Sequence, residues 1–207
     1  MAHRDCEAPA STDFGEDMKI AVFCGSSSGN KPEYVAAAQA LGRTLAERDI
    51  ELVYGGGKVG LMGAIADAVL AAGGRVTGVI PRALEAREVA HTSLSALHVV
   101  EDMHQRKAMM ADMADGFIAM PGGAGTLEEI FEAWTWAQLG YHRKPCGFLN
   151  VARYYDKLLG FIDDMVDHGF MKAPYRAMVS VEHAPDALLD ALLAYTPPLE
   201  KWAPARV

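Results

Sequence analysis

The residues best placed to do chemistry stand in one short stretch, Pro121-Gly122-Gly123-Ala124-Gly125-Thr126, followed by Leu127-Glu128-Glu129. Three glycines in four positions let successive backbone N–H groups converge on one point. A helix starting there adds the positive end of its dipole. Together they make a cradle for a phosphate group. Glu129, one turn further on, admits two readings. As the last residue of a Thr-x-x-Glu capping box it would bond back to the Thr126 N–H and serve only the helix. As a carboxylate beside a bound ligand it would stabilise positive charge or take a proton from water.

Two more glycine-rich turns invite the same question. Gly25-Ser26-Ser27-Ser28-Gly29 offers small residues and hydroxyl donors, suited either to an anion or to a capped loop. Gly55-x-Gly57-x-x-Gly60 has the spacing of a dinucleotide-binding turn. That fingerprint wants an acidic residue about 20 positions on to hold a ribose diol, and Arg75-Val76-Thr77-Gly78-Val79-Ile80-Pro81 contains none. Lys58 is not followed by Ser or Thr as in a Walker A loop. NAD binding and ATP hydrolysis both lose their support. Gly56 and Gly57 are left as a tight turn or as a place where backbone approaches a ligand.

The elements that must position these turns are legible from pattern. Short β-branched runs fall at residues 19–24, 51–54, 75–80, 97–100, 116–120, 146–149 and 178–181. Helical patterns lie between them: one ending near 48, then 61–72, 104–114, 126–139, 154–168 and 185–194. In the first, Tyr34, Ala38, Leu41 and Leu45 recur on one face. Nearly continuous apolar strands alternating with helices imply a parallel sheet covered on both sides. The expectation is an α/β, three-layer Rossmann-like domain with about seven parallel strands, spanning residues 18–196 between tails at 1–17 and 197–207. Ligands in such sheets sit at the carboxyl ends of the strands, where all three turns fall.

Composition narrows the class. A formal charge of −8 argues against wrapping a nucleic-acid backbone, while leaving room for a small anion in a local basic pocket. No apolar run is long enough for a membrane span, and the first 17 residues lack the apolar core of a signal peptide, so a cytoplasmic protein is expected. Cys6, Cys24 and Cys146 are scattered without CxxC spacing, and no HExxH pair occurs. Neither a disulfide frame nor a protein-bound metal is expected.

Pro121 to Glu129 fits the PGGxGTxxE signature of the LONELY GUY family, the cytokinin riboside 5′-monophosphate phosphoribohydrolases, often mislabelled lysine decarboxylases. Asp102-Met103-His104-Gln105-Arg106-Lys107 resembles that family's second motif. Gly25-Ser26-Ser27, Tyr54-Gly55-Gly56-Gly57, Gly60-Leu61-Met62 and Trp136-Ala137-Gln138-Leu139-Gly140 follow it in order, so the likeness runs from about residue 19 to 193. The resemblance implies that Glu129 and Arg106 form the catalytic pair and that Gly122, Gly123, Gly125 and Thr126 hold a 5′-phosphate. It implies no metal and no organic cofactor, a nucleoside 5′-monophosphate substrate and a homodimer. Gly25, Ser26, Gly56, Gly57 and Lys107 join the expected binding set. Glu88 aligns with an acidic family position, and Met62 and Met103 are candidates for the base pocket. Lysine decarboxylation would need a Schiff-base lysine with partners for a pyridoxal phosphate, and no such set is recognisable.

Cleavage between ribose C1′ and the base passes through an oxocarbenium-like state, which a carboxylate at Glu129 would stabilise. Arg106 is always charged, a poor acid but a good anchor for phosphate or carboxylate. Trp134 belongs to a core stripe with Leu127, Ile130 and Phe131, leaving Trp136 for a subunit interface. Two other readings stay open: a nucleotide sensor or carrier without turnover, and a nucleosidase for other monophosphates.

Overall fold

The structure, a computed structural model, describes residues 18–85, 90–91 and 93–198. Seven strands form one sheet: β1 (Lys19–Phe23), β2 (Glu51–Tyr54), β3 (Val76–Pro81), β4 (Ala96–Val100), β5 (Gly116–Ala119), β6 (Cys146–Leu149) and β7 (Val179–Glu182). The helices are α1 (Pro32–Glu47), α2 (Gly60–Ala71), α3 (Arg82–Glu85), α4 (Met103–Met113), α5 (Ala124–Leu139), α6 (Asp156–Asp167), α7 (Ala173–Arg176) and α8 (Pro185–Leu193). The strand order is β4-β3-β2-β1-β5-β6-β7, and every pairing is parallel.

Alternation along each strand builds two cores. Ile20 and Val22 point to one face, where α1, α2 and α8 supply Leu41, Leu45, Ile65, Val69 and Leu188. Ala21 and Phe23 point to the other, against Met110 of α4, Ile130 and Trp134 of α5, and Ile162 of α6. The three-layer α/β domain is as expected. Trp134 is buried and its indole N–H donates to the Tyr175 carbonyl at 3.0 Å, while Trp136 is half-buried. Cys24 and Cys146 are free and buried. Among the described residues, no helix is long and apolar enough to cross a membrane.

Chain order reverses between β1 and β5: the strands after β1 run outward on one side, those after β5 on the other. The turns leaving these two strands therefore splay to opposite faces and leave a crevice between them. The Gly25 N–H reaches across it to the Pro121 carbonyl at 3.1 Å, and the Leu61 N–H at the head of α2 binds the Gly25 carbonyl at 3.1 Å. All three glycine turns thus meet at one end of the sheet.

Three departures from expectation matter. α5 begins at Ala124, two residues before the expected start. α6 begins at Asp156, after a 3₁₀ turn at Val151–Arg153 rather than directly at 154. The short helices α3 and α7 had no sequence signal, since four residues are too few to show a period. The expected tail at 1–17, residues 199–207 of the other tail, and Glu88 lie outside the described residues.

Candidate active site

A cleft of about 280 Å³ opens at the crevice, with Phe23, Cys24 and Gly25 at the end of β1, Gly55 after β2 and Leu84 of α3 on its walls. Met62, Met103, Arg106, Gly123, Gly125, Thr126 and Glu129 also line it. Of the expected site residues, Gly25, Ser26, Met62, Met103, Arg106, Gly123, Gly125, Thr126 and Glu129 are brought together here. Gly122 stands just behind, between the Gly25 N–H and the Thr126 hydroxyl, where a Cβ would approach to 2.9 and 2.2 Å.

The start of α5 decides what Glu129 does. Gly123 is the N-cap and has no side chain to cap the helix, so the first-turn N–H groups face whatever occupies the cleft. Thr126 lies inside the first turn rather than at the cap, and the Thr126–Glu129 capping box does not form. Glu129 instead points inward and is buried, with Oε1 3.2 Å from Nη1 of Arg106. The guanidinium N–H bonds are not aimed along that contact, and Glu129 Oε1 has no hydrogen-bond partner among the described residues. Burial raises the Glu129 carboxyl above the ordinary carboxylate range, Arg106 draws it back down, and Glu128 pushes it up again.

Side chains do cap the preceding helix. The Asp102 side chain accepts from the Gln105 N–H at 2.8 Å, and Gln105 Oε1 accepts from the Glu101 N–H at 3.2 Å. This fixes where α4 starts, and hence that Arg106 projects from its first turn back over the sheet. Arg106 is buried; its Nε–H donates to the Val79 carbonyl at 3.1 Å. Its guanidinium lies on the backbone of Gly55, where a Cβ would fall 1.9 Å from Nη2. Gly55 was not among the expected site residues, because its need for an absent side chain comes from an arginine 51 positions away.

Other expected residues stand outside this lining. Lys107 is not in the wall itself, adjacent helical residues diverging by about 100°; it bridges Glu128, which lines the cleft, and Glu132 across the α4–α5 contact, the latter at 3.0 Å. It ties together the helices that carry Arg106 and Glu129. Gly56 and Gly57 do not line the cleft: Gly56 turns the chain at φ +77 and accepts the His91 N–H at 3.2 Å, while Gly57 bridges to Ala90. Both contacts are to the segment at Ala90 and His91. Met62 is buried and Met103 exposed at 39%, so the first is wall and core together and the second stands at the rim. Phe23, Cys24 and Leu84 were not anticipated in the lining. The Cys24 thiol is held strongly protonated by burial, then by the nearby Glu129 charge.

A parallel sheet with an uncapped helix N-terminus and a buried carboxylate–arginine pair at its topological switch point defines an α/β protein built to receive a small anionic ligand. Similarity to known proteins narrows this. A family profile described as "Possible lysine decarboxylase" matches residues 62–192. The chain is 52% identical over 183 residues to cytokinin riboside 5′-monophosphate phosphoribohydrolase LOG7 of Arabidopsis thaliana, covering 88% of this chain and 84% of that one. It is 50% identical over 186 residues to the probable enzyme of the same name, LOGL6, of Oryza sativa subsp. japonica, covering 90% and 74%. In fold it resembles the molybdenum cofactor carrier protein of Chlamydomonas reinhardtii, with a TM-score of 0.66 at 21% identity over 86% of this chain and 99% of that one. The chain belongs to the family of the cytokinin riboside 5′-monophosphate phosphoribohydrolases.

Proposed function

We propose that this chain hydrolyses the N-glycosidic bond of an N6-substituted adenosine 5′-monophosphate, giving the free base and ribose 5-phosphate. The observation that carries the reading is Glu129: a buried carboxylate whose Oε1 has no hydrogen-bond partner, one turn beyond an uncapped helix N-terminus. With the 5′-phosphate on the N–H groups of Gly123 to Thr126, the ribose lies within the cleft that Glu129 faces. The C1′–N9 bond breaks with its electron pair going to the base, which takes up a proton from solvent as it leaves. Water adds to C1′ and gives a proton to Glu129, whose charge stabilises the oxocarbenium-like state and which then returns that proton to solvent. Arg106 stays positive, orients Glu129 and adds attraction for the phosphate.

The names of the relatives support this over the decarboxylase description, and so does the site. Among the described residues lining the cleft there is no lysine for a Schiff base. The apolar wall of Phe23, Leu84, Met62 and Met103 suits a flat base with an apolar substituent. A cytoplasmic homodimer acting without metal or organic cofactor belongs to the same proposal.

Incubation with adenosine 5′-monophosphate and an N6-prenylated analogue tests it. Free base should appear, faster from the analogue; a folded protein that releases none from either would sink the assignment. Glu129→Gln should bind nucleotide yet lose turnover by on the order of 10³-fold. If binding persists while the wild-type protein also leaves the ligand intact, the chain is a carrier.

A further inference from the structure

Behind the phosphate turn lies a second hollow, of about 360 Å³, lined by Ser27, Tyr34, Gly122 and Tyr154 among others. Tyr154 enters it from the turn between β6 and α6. In that turn Ala152 has φ 48 and Arg153 has φ 61, a costly conformation for residues that carry a Cβ. Buried Asn150 holds the turn: its Nδ2 donates to Asp156 Oδ1 at 2.8 Å, and its Oδ1 accepts the Tyr155 N–H at 2.8 Å. The Arg153 Nε–H adds a bond to Asp156 Oδ2 at 2.5 Å.

The outcome of this strain is a pair of tyrosines aimed at the phosphate turn. The Tyr155 hydroxyl donates to the Met120 carbonyl at 2.5 Å, and the Tyr154 hydroxyl donates to the Gly122 carbonyl at 2.6 Å. The two rings pack edge to face at 4.9 Å, and Tyr154 leans likewise on Tyr34 at 5.8 Å. The two bonds have different consequences. The peptide after Met120 leads into Pro121, which has no N–H to aim. The peptide after Gly122 carries the Gly123 N–H. No described peptide is cis, so its C=O and N–H point in opposite directions. Gly123 lines both hollows, and with the carbonyl held on the Tyr154 side its N–H is turned the opposite way, toward the cleft that Gly125 and Thr126 also line.

We propose that Tyr154 is a positioning residue for phosphate: it fixes the Gly122–Gly123 peptide plane so that the Gly123 N–H stands ready for the anion. Without it, a glycine pair is free to flip that peptide and present a carbonyl oxygen to the ligand. The inference rests on the reading of the Gly122–Thr126 turn as a phosphate cradle.

The test compares ligands with and without phosphate. For Tyr154→Phe, which keeps the ring, KM for adenosine 5′-monophosphate and Kd for ribose 5-phosphate should both rise by about five- to tenfold, the loss of one hydrogen bond. Turnover at saturation should change by less than about twofold, and Kd for adenosine should not move. An unchanged Kd for ribose 5-phosphate, or equal weakening of adenosine, overturns the proposal. Gly123→Ala separates this from failure of the underlying reading, since its Cβ meets nothing within 4 Å and so perturbs no protein contact. If Gly123→Ala weakens ribose 5-phosphate while Tyr154→Phe does not, Tyr154 has no such role; if neither does, the turn is not a phosphate cradle and the proposal falls with it. Should Tyr154→Phe not fold, Asp156→Ala loosens the same turn from outside. It should give the same phosphate-selective loss at smaller size, and an unselective loss or none overturns the proposal.

Discussion

Two glycine-rich turns of similar composition, one after β2 and one after β5, are put to opposite uses. In the turn after β2 the space beside the glycines is filled. A Cβ on Gly60 would fall 2.3 Å from the Ser26 carbonyl carbon, one on Gly63 2.0 Å from the Lys58 carbonyl oxygen, and one on Gly55 1.9 Å from Arg106. In the turn after β5, Gly123 and Gly125 have nothing within 4 Å of the Cβ position. Glycine in the first turn lets protein touch protein; in the second, Gly122 does the same against Thr126 and Gly25, while Gly123 and Gly125 leave room for something that is not protein. A GxGxxG spacing cannot distinguish the two, because both demand small residues at a strand-to-helix turn.

The contrast is sharpest at Gly60. It combines φ +63 with a close backbone neighbour, so Gly60→Ala should destabilise the fold by about 3 kcal/mol, visible as a lowered denaturation midpoint. A neutral Gly60→Ala would break the distinction. At Gly55 the obstructing group is the end of a flexible side chain, which can move. Gly55→Ala should therefore leave a folded protein with a displaced Arg106 and kcat/KM lower by about 10²-fold. Gly125→Ala turns the signs around. As a helical position with open space it should gain roughly 0.5 kcal/mol of stability, while affinity for ribose 5-phosphate falls by about tenfold, as thermal unfolding and calorimetry on one sample would show.

The smallest expected effect is on pH dependence, at the carboxylate beside the open turn. Burial first, opposed by Arg106, raises Glu129 above 4.5. With Glu129 acting as the proposed mechanism requires, in its ionised form, kcat/KM should fall on acidification with an inflection above 4.5. Stability runs the other way. A carboxyl raised in the folded state contributes fully below its ordinary value and loses that contribution as pH rises through the raised one. Glu129→Gln should therefore melt slightly higher than the wild type at neutral pH, and the gain should vanish below 4.5.

Much of this was legible in the chain itself. Apolar runs of four to six residues placed all seven strands within a residue or so of where they form, the inner ones because strands buried on both faces are nearly continuous apolar runs. The Pro121–Thr126 turn, too, is legible as glycine-rich backbone entering a helix at the end of a strand. What was not legible falls where partners come from far away. Lys107 reads as a ligand contact beside Arg106, and the chain alone does not show that its side chain lies between two α5 glutamates. Gly55 and Tyr154 carry no local signal, since each matters through a contact with a remote segment.

Glu129 shows the division most clearly. Local pattern determined that a helix begins near Thr126 and that an acidic residue sits one turn along it, because both follow from chain-local backbone chemistry. Whether that residue caps the helix or faces a cleft depends on a start shifted to Ala124 and on Arg106, delivered from the first turn of α4 across the end of the sheet. Tertiary structure decided that, because a carboxylate goes where its strongest unsatisfied partner is, and here that partner belongs to another helix.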